Sequence, residues 1–467
     1  MIRSTMLLRI AAAVLLVLVS ASPGARAVVS GQWVMGYYVG YLEQTLPPAK
    51  VDWPHLTHIV MSPMTARADG TLDTGFDASL GDGPALAKAV STRAHKAGKK
   101  ALLMLGGAGN GDAILGAVTS HRAVFIKNLI ATMNSLGYDG IDLDWEDSVD
   151  WAKFQAFATA LRKAAPKAIL TVPVGPLNLN YQTVDPHIPA IAAQVDRIDV
   201  MSYYPATAYA GSGWYSWFSS PLKGEKGTTP VSIDTSLAQF VAAGVPSQKL
   251  GMGIAFYAIC YTGGVTGPNQ STEGGVAIVG GDNDFMLSEL YGAHNQYFQI
   301  YNRWDAAAVE PYMTLPTVNT RSCRYVTYED ERSILAKGQF SRANHYGGII
   351  VWNLNEGYVA THPRPNFLME ALYKGFVDTR LVTPVAVSIM QAGPSVQPGN
   401  SQRLSALVTG TTNRQVKWSV TTAACGTVNS TGLYTAPAVP KNCTVQAAST
   451  ADPTKTATVT VQVTNAP

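Results

Sequence analysis

At 467 residues the chain exceeds one ordinary domain, although a barrel of roughly 250 to 400 residues could take up much of it. Of its 34 basic side chains three are arginines in the first 27 residues, which leaves 31 basic against 31 acidic beyond them. A formal charge of zero suits a polyanion badly, which argues against nucleic acid as a partner and for a neutral substrate.

In chain order, Arg3 and Arg9 precede an apolar run from Ile10 to Val19 and the small-residue site Ala25-Arg26-Ala27. This reads as a secretory signal peptide, residues 1–27, set apart from the fold. The ten apolar residues fall short of the roughly 20 that a spanning helix needs. An exported chain is expected, extracellular or periplasmic, with no membrane attachment after signal removal.

Short apolar runs then recur with helical stretches between them: Trp33 to Tyr38, His58 to Met64, Ala101 to Gly106, Gly140 to Glu146, Ala168 to Val174, Arg197 to Tyr203, Leu250 to Tyr257 and Gly348 to Leu354. Val124, Phe125, Leu129, Met133 and Leu136 keep one apolar face from His121 to the stop at Gly137, and Asp150 precedes a second such stretch with Phe154, Phe157 and Leu161. Eight strands joined by crossover helices predict an α/β fold, a closed (β/α)₈ TIM barrel with its site at the C-terminal ends of the strands.

About 90 residues lie between the seventh and eighth runs, so an inserted subdomain is expected there. After Gly375 the composition turns to Thr, Val, Ala and Ser, with alternating runs at Arg403 to Thr409, Val416 to Val420, Thr444 to Ala448 and Ala457 to Val463. These predict a separate all-β sandwich. The division is a barrel over 28–375, with an insertion at about 258–346, and a β domain over 384–467.

Cys260, Cys323, Cys425 and Cys443 show no CxxC spacing and no neighbouring histidine, which favours disulfides over a metal site in an exported chain. Pairing 260 with 323 and 425 with 443 keeps each bridge within one proposed domain.

Chemistry concentrates in Tyr138-Asp139-Gly140-Ile141-Asp142-Leu143-Asp144-Trp145-Glu146. On a strand, Asp142, Asp144 and Glu146 share one face while Ile141, Leu143 and Trp145 share the other. The apolar face meets the helices, so the acids point into the barrel, where Val, Ile and Leu are usual. Three buried acids cannot all be charged. They should share protons, with Glu146 at the rim raised in pKa and able to act as an acid. A half-exposed antiparallel strand with an acidic wet face is the plainer alternative. A calcium loop is not, because the EF-hand spacing and distal Glu are missing.

Asp139, Gly140, Asp142, Asp144 and Glu146 resemble the DGxDxDxE signature of the family 18 glycoside hydrolases, the chitinase family. The likeness covers roughly residues 33 to 375 and includes Gly36-Tyr37-Tyr38, Met201-Ser202-Tyr203, Ala255-Phe256-Tyr257 and Gly347-Gly348-Ile349-Ile350-Val351-Trp352. It implies a retaining, substrate-assisted mechanism on chitin or N-acetylglucosamine oligosaccharides, without cofactor or metal, in a monomer. Glu146 would protonate the leaving oxygen, Asp144 would hold the acetamido N–H, and Asp142 would share a proton with Asp144. Tyr203 would donate to the acetamido oxygen and Trp352 would floor the sugar, with Tyr37, Gly107, Met201 and Tyr257 completing the substrate site.

Several positions depart from the family pattern. The usual SxGG reads Met104-Leu105-Gly106-Gly107, so Asp142 should lack the serine that supports it. Ala108 stands where an aromatic is frequent, Tyr204 replaces the Asp of MxYD, and Ile259 replaces an arginine. The insertion resembles, in shortened form, a subdomain that walls the cleft, on Trp304-Asp305, Pro311-Tyr312, Tyr328-Glu329-Asp330, Ser333-Ile334 and Lys337. A purely structural insert is an equal alternative. From about Pro384 the chain resembles bacterial immunoglobulin-like modules, in Val416 to Val420 and Gly432 to Pro437. Trp418 and Tyr434 suit its core, which favours a spacer over a sugar-binding module. The signature also fits an endo-β-N-acetylglucosaminidase acting on N-glycan cores, or a chitin-binding lectin lacking the acid.

Overall fold

The apolar runs become eight parallel strands: β1 (Trp33–Val39), β2 (His58–Ala66), β3 (Lys100–Gly106), β4 (Gly140–Asp144), β5 (Ile169–Val174), β6 (Arg197–Val200), β7 (Leu250–Ala255) and β8 (Gly348–Trp352). Each pairs with the next, and β1 pairs with β8 as well as β2, so the sheet closes into a barrel. This computed structural model describes residues 32–203, 213–292, 294, 300–316, 322–378, 385–390, 393–409 and 413–465. The leader read at 1–27, Tyr204 and Pro384 lie outside them.

Four of the strands end earlier than the apolar runs suggest. Ladder pairing in β4 stops at Asp144 and not Glu146, in β6 at Val200 and not Tyr203, in β7 at Ala255 and not Tyr257, and in β8 at Trp352 and not Leu354. The extra residues are rim residues. Trp145 stays buried against Phe154, 5.5 Å between ring centres, so its apolarity reports packing after the strand has ended.

Outward-facing Ile141, Leu143, Val172 and Ile198 join the helices in one large core. Helix Arg122–Leu136 buries Phe125, Leu129, Met133 and Leu136, with Phe125 stacked on Phe157 at 5.4 Å, and Gly137 ends it in the left-handed region. Val124, expected on that face, is 49% exposed, because the buried stripe runs through Ile126 instead. Asp150 caps helix Trp151–Ala164 by accepting from the Lys153 N–H at 3.0 Å, a contact worth about 1 kcal/mol.

Inside the barrel, Trp33, Met35, Tyr37, Val60, Leu102, Met104 and Ile350 form an apolar plug. Below the acids, the Arg197 guanidinium lies 4.4 Å from the Trp33 ring centre and 2.7 Å from His58 Nε2.

Between β7 and β8, strands Ile259–Tyr261, Asn302–Asp305, Glu310–Thr314 and Tyr325–Thr327 make a four-stranded antiparallel sheet with the disulfide Cys260–Cys323 at its edge. Helix Glu331–Ala343, counted in the expected insertion, instead packs on helix Phe367–Phe376 and serves as the crossover into β8. Its fully buried Lys337 donates to Glu310 and Glu329, which ties the inserted sheet to the barrel wall. An uncompensated ammonium there would cost several kcal/mol.

The chain divides into two compact units, the second starting at Asp378. That unit is all β, built on the pairs Lys441–Ser449 with Thr456–Val463 and with Val416–Val420. Its core holds Leu404, Tyr434, Val445, Val461 and the disulfide Cys425–Cys443, with Trp418 packed at the margin.

Candidate active site

The acids of β4 occupy successive levels. Asp139, at the strand's entrance, accepts from Lys100 Nζ at 2.7 Å and from the Ala101 N–H at 2.9 Å and stands beside His95, which makes it a structural anchor at the far end from the rim. Asp142 is fully buried inside the barrel. Its Oδ2 accepts from the Tyr37 hydroxyl at 2.8 Å, and its Oδ1 accepts from the Thr171 hydroxyl. The missing serine of the third strand therefore does not leave Asp142 short of donors. Thr171, an inward-facing residue of β5, supplies the bond that Met104 cannot, while Met104 Sδ accepts from Ser62 Oγ.

Asp144 is hydrogen-bonded to Glu146 and also feels the charge of Asp142. Asp142 and Asp144 are both in the ladder, whereas beyond Asp144 the chain leaves it and brings Glu146 back. Gly106 permits this junction: its φ is +107°, and a Cβ there would stand 2.2 Å from the Asp144 carbonyl oxygen. Gly107 N–H then donates to that oxygen at 2.8 Å. Asp147 binds the two rim loops together by accepting from the N–H groups of Gly109 and Gly111 at 2.8 and 3.1 Å.

Burial pushes the Asp142 carboxyl up to about 6, against the lowering effect of its bonds from Thr171 and Tyr37. Burial raises Asp144 well above the usual carboxylate range, reinforced by the charges of Glu146 and Asp142. Glu146 is raised by burial too, opposed by the bond from Asp144 and by the Ala108 N–H. Burial thus biases both Asp144 and Glu146 toward their protonated forms. Such a pair can deliver a proton to a leaving group and keep a negative charge to face a developing cation.

Glu146 and Asp144 open onto a cavity of roughly 350 Å³, which falls within the range of small-molecule sites. Tyr37, Gly107, Met201, Tyr203, Tyr257 and Trp352 line it, together with Met104, Ala108 and Asp282. The structure thereby brings together every site residue singled out in the sequence except Asp142, which lies one level deeper. Tyr37 and Trp352 have ring centres 5.4 Å apart. Burial, then the charge of Asp144, keeps the Tyr203 hydroxyl protonated and able to donate. Ile259 is buried in the inserted sheet and does not line the cavity.

Sequence reasoning missed Asp282 and Thr171. Asp282 sits in the glycine-rich stretch Gly280-Gly281-Asp282-Asn283-Asp284, which has no periodicity to place a side chain. Thr171 carried a usable signal, being polar on the inward side of a barrel strand.

A closed parallel barrel with a hydrogen-bonded carboxyl pair at the C-terminal ends of its strands, open to a cavity lined by aromatic rings, is the build of a glycoside hydrolase. Residues 34–357 match the glycosyl hydrolases family 18, and the chain belongs to that family. It is similar to a probable endochitinase of Caenorhabditis elegans, 26% identical over 286 residues that make up 55% of this chain and 43% of that protein. The chain therefore spans less than half of that relative's length. It is also similar to chitinase B of Serratia marcescens, 24% identical over 478 residues, 82% of this chain and 91% of that one. The fold matches the crystal structure of the Ostrinia furnacalis group IV chitinase in complex with allosamidin, with a TM-score of 0.61, 21% identity, and coverage of 73% of this chain and 98% of that one.

Proposed function

We propose that the protein is a secreted chitinase that hydrolyses β-1,4 links between N-acetylglucosamine units with retention, the substrate's own 2-acetamido oxygen acting as nucleophile. The carrying observation is the Asp144–Glu146 carboxyl pair at the wall of the aromatic cavity. Glu146 protonates the leaving oxygen. Asp144 accepts the acetamido N–H and faces the oxazolinium charge that develops as the acetamido oxygen attacks the anomeric carbon. Tyr203 donates to the acetamido oxygen, and Trp352 with Tyr37 forms the apolar floor. Water then opens the oxazolinium on the same face, with Glu146 now as base.

The relatives named above support a chitin-type substrate through the names they carry, and the zero net charge beyond the leader suits a neutral polysaccharide. The terminal β unit is read as an immunoglobulin-like spacer and the protein as a monomer. Product analysis on N-acetylglucosamine oligomers of defined length, with an N-glycan as competing substrate, tests the assignment. Release of shorter acetylated oligomers supports it. Cleavage of the N-glycan core alone makes the protein an endo-β-N-acetylglucosaminidase, and binding without turnover makes it a lectin.

A further inference from the structure

One buried cation takes no part in the mechanism above. Arg197, the first residue of β6, is 6% exposed and lies in the barrel floor. Neutral groups hold its guanidinium: the Trp33 ring at 4.4 Å, Met35 Sδ at 3.7 Å and His58 Nε2 at 2.7 Å. Thr57 fixes the state of that imidazole. Its hydroxyl donates to the Val34 carbonyl and accepts from the Val34 N–H, both at 2.9 Å, so its one proton is spent and the 2.8 Å bond with His58 Nδ1 is donated by the ring. Nε2 is then an acceptor, and His58 is neutral. Asp196, the preceding residue, pairs with Arg162 at 2.7 Å, and no carboxylate among the described residues is bonded to Arg197.

Two buried acids share the barrel interior with this cation, Asp142 and Asp199, and their donors decide between them. Asp142 accepts from the hydroxyls of Tyr37 and Thr171, whereas no hydroxyl among the described residues donates to Asp199. Donors of this kind favour the ionised form. The register agrees: Asp142, Thr171 and Arg197 are direct partners across β4, β5 and β6, two strand spacings or about 10 Å from first to last. From the other side, β1 presents Trp33 and Met35 to the guanidinium and Tyr37 to Asp142. We propose that Arg197 is a positioning residue for the hydrolysis, whose charge holds Asp142 as the anion of the acid row and so keeps protons with Asp144 and Glu146 at the rim. The inference rests on the reading of that row as the catalytic one.

The titratable groups that face Asp142 are Tyr37 from β1, Asp144 and Glu146 from its own chain segment, and Arg197 and Asp199 from β6, while its partner on β3 is the apolar Met104. Lys100 of β3 is drawn away to Asp139. Burial lowers Arg197 only to about 10 and raises Asp199 to about 8, so at neutral pH Arg197 is charged and its neighbour on the same strand does not cancel it. A unit charge about 10 Å away, at an effective dielectric constant of about 20, moves a pKa by about one unit.

The test uses the full chain. Infrared titration reads the Asp142 carboxyl without turnover, its band being the one that Asp142→Asn lacks, and kcat/KM against pH on the N-acetylglucosamine tetramer reads the consequence. Arg197→Met, whose side chain suits Trp33 and Met35, should raise the Asp142 midpoint by about one pH unit, a tenfold gain in proton affinity, and carry the acid limb upward with it. Arg197→Gln should do the same, and supplies a second neutral variant where the first does not fold. Arg197→Lys keeps the charge and should recover at least about half of the shift. On an Asp142→Asn background, Arg197→Met should move the limb no further. A midpoint that stays in place in the neutral variants, with or without a fall in Tm, overturns the inference, and so does one that moves as far in Arg197→Lys as in Arg197→Met. A wild-type chain that leaves the tetramer uncut overturns the proposed function, while the infrared midpoint still decides whether Arg197 holds the Asp142 charge.

Discussion

Asp144 and Glu146 are hydrogen-bonded through their carboxyl groups across the point where β4 leaves the barrel ladder. Burial raises both carboxyls, so the pair favours holding a proton. Replacing Glu146 by Gln removes the proton donor while preserving shape, so turnover of acetylated oligomers should fall by about 10² to 10⁴ with binding largely intact. Asp144→Asn should also slow turnover severely, because it neutralises the charge facing the intermediate. Single-turnover rates and equilibrium binding on both variants check this, and residual activity within about threefold of wild type contradicts the assignment.

Thr171 bonds the ionised form of Asp142, so its loss must raise the Asp142 pKa above its value of about 6. Below that value Asp142 is neutral, and the site has one negative charge fewer to support a cation. Thr171→Val should accordingly move the acid limb of the kcat/KM profile upward, by up to about one pH unit for one lost bond. A limb that stays in place would mean that another group governs it.

These two relationships also mark how far the sequence could be read. Alternation of Asp142, Asp144 and Glu146 with Ile141, Leu143 and Trp145 was enough to put acids inside a barrel and an acid at its rim. It could not show where pairing stops, because Trp145 remains as buried after the strand as Leu143 is within it. The support from Thr171 was hidden by expecting a serine on a different strand. Asp282 came from an irregular loop, where no period links sequence position to direction.

Asp199 lies in the barrel floor beside Arg197, and burial, opposed by the Arg197 charge, pushes its carboxyl up to about 8. A raised folded-state pKa means that the native state holds this proton more tightly than the unfolded chain. The resulting stabilisation is fully present below about pH 4 and is lost as pH rises to about 8. Asp199→Asn cannot lose it. Between pH 5 and 8 the wild type should therefore lose stability relative to the variant, by at most about 1.4 kcal/mol per pH unit. Calorimetric Tm values at the two pH extremes decide, and parallel curves would refute the assignment.

In the terminal unit, Cys425 and Cys443 close a loop with a sequence separation of 18. Replacing both by Ala should destabilise that unit by about 3 kcal/mol in the chain-entropy account. Turnover of short soluble oligomers should be unchanged, because every proposed site residue lies in the first unit. Denaturant unfolding monitored on the intact protein, alongside an oligomer assay, reads both. A tenfold fall in kcat would show that the β unit helps to form the site.

The sharpest test of mechanism uses the substrate. Among the described residues three carboxyl groups line the cavity, those of Asp144, Glu146 and Asp282. Burial and the charge of Glu146 bias Asp144 toward its neutral form, and Asp282 accepts from the Trp352 indole N–H, so neither stands as an unengaged nucleophile. If the acetamido oxygen attacks instead, fully deacetylated oligomers should bind and remain uncut, because they lack that oxygen. A thiazoline analogue of the cyclic intermediate should inhibit strongly, since it presents the ring that Asp144 and Tyr203 are placed to receive. Hydrolysis of glucosamine or glucose oligomers at the rate of acetylated ones would mean that a protein carboxylate forms the covalent bond. Asp144 and Asp282 would then be the candidates, and the separate Asn variants would tell them apart: the nucleophile's variant would lose turnover of all substrates alike, while the other would mainly alter KM.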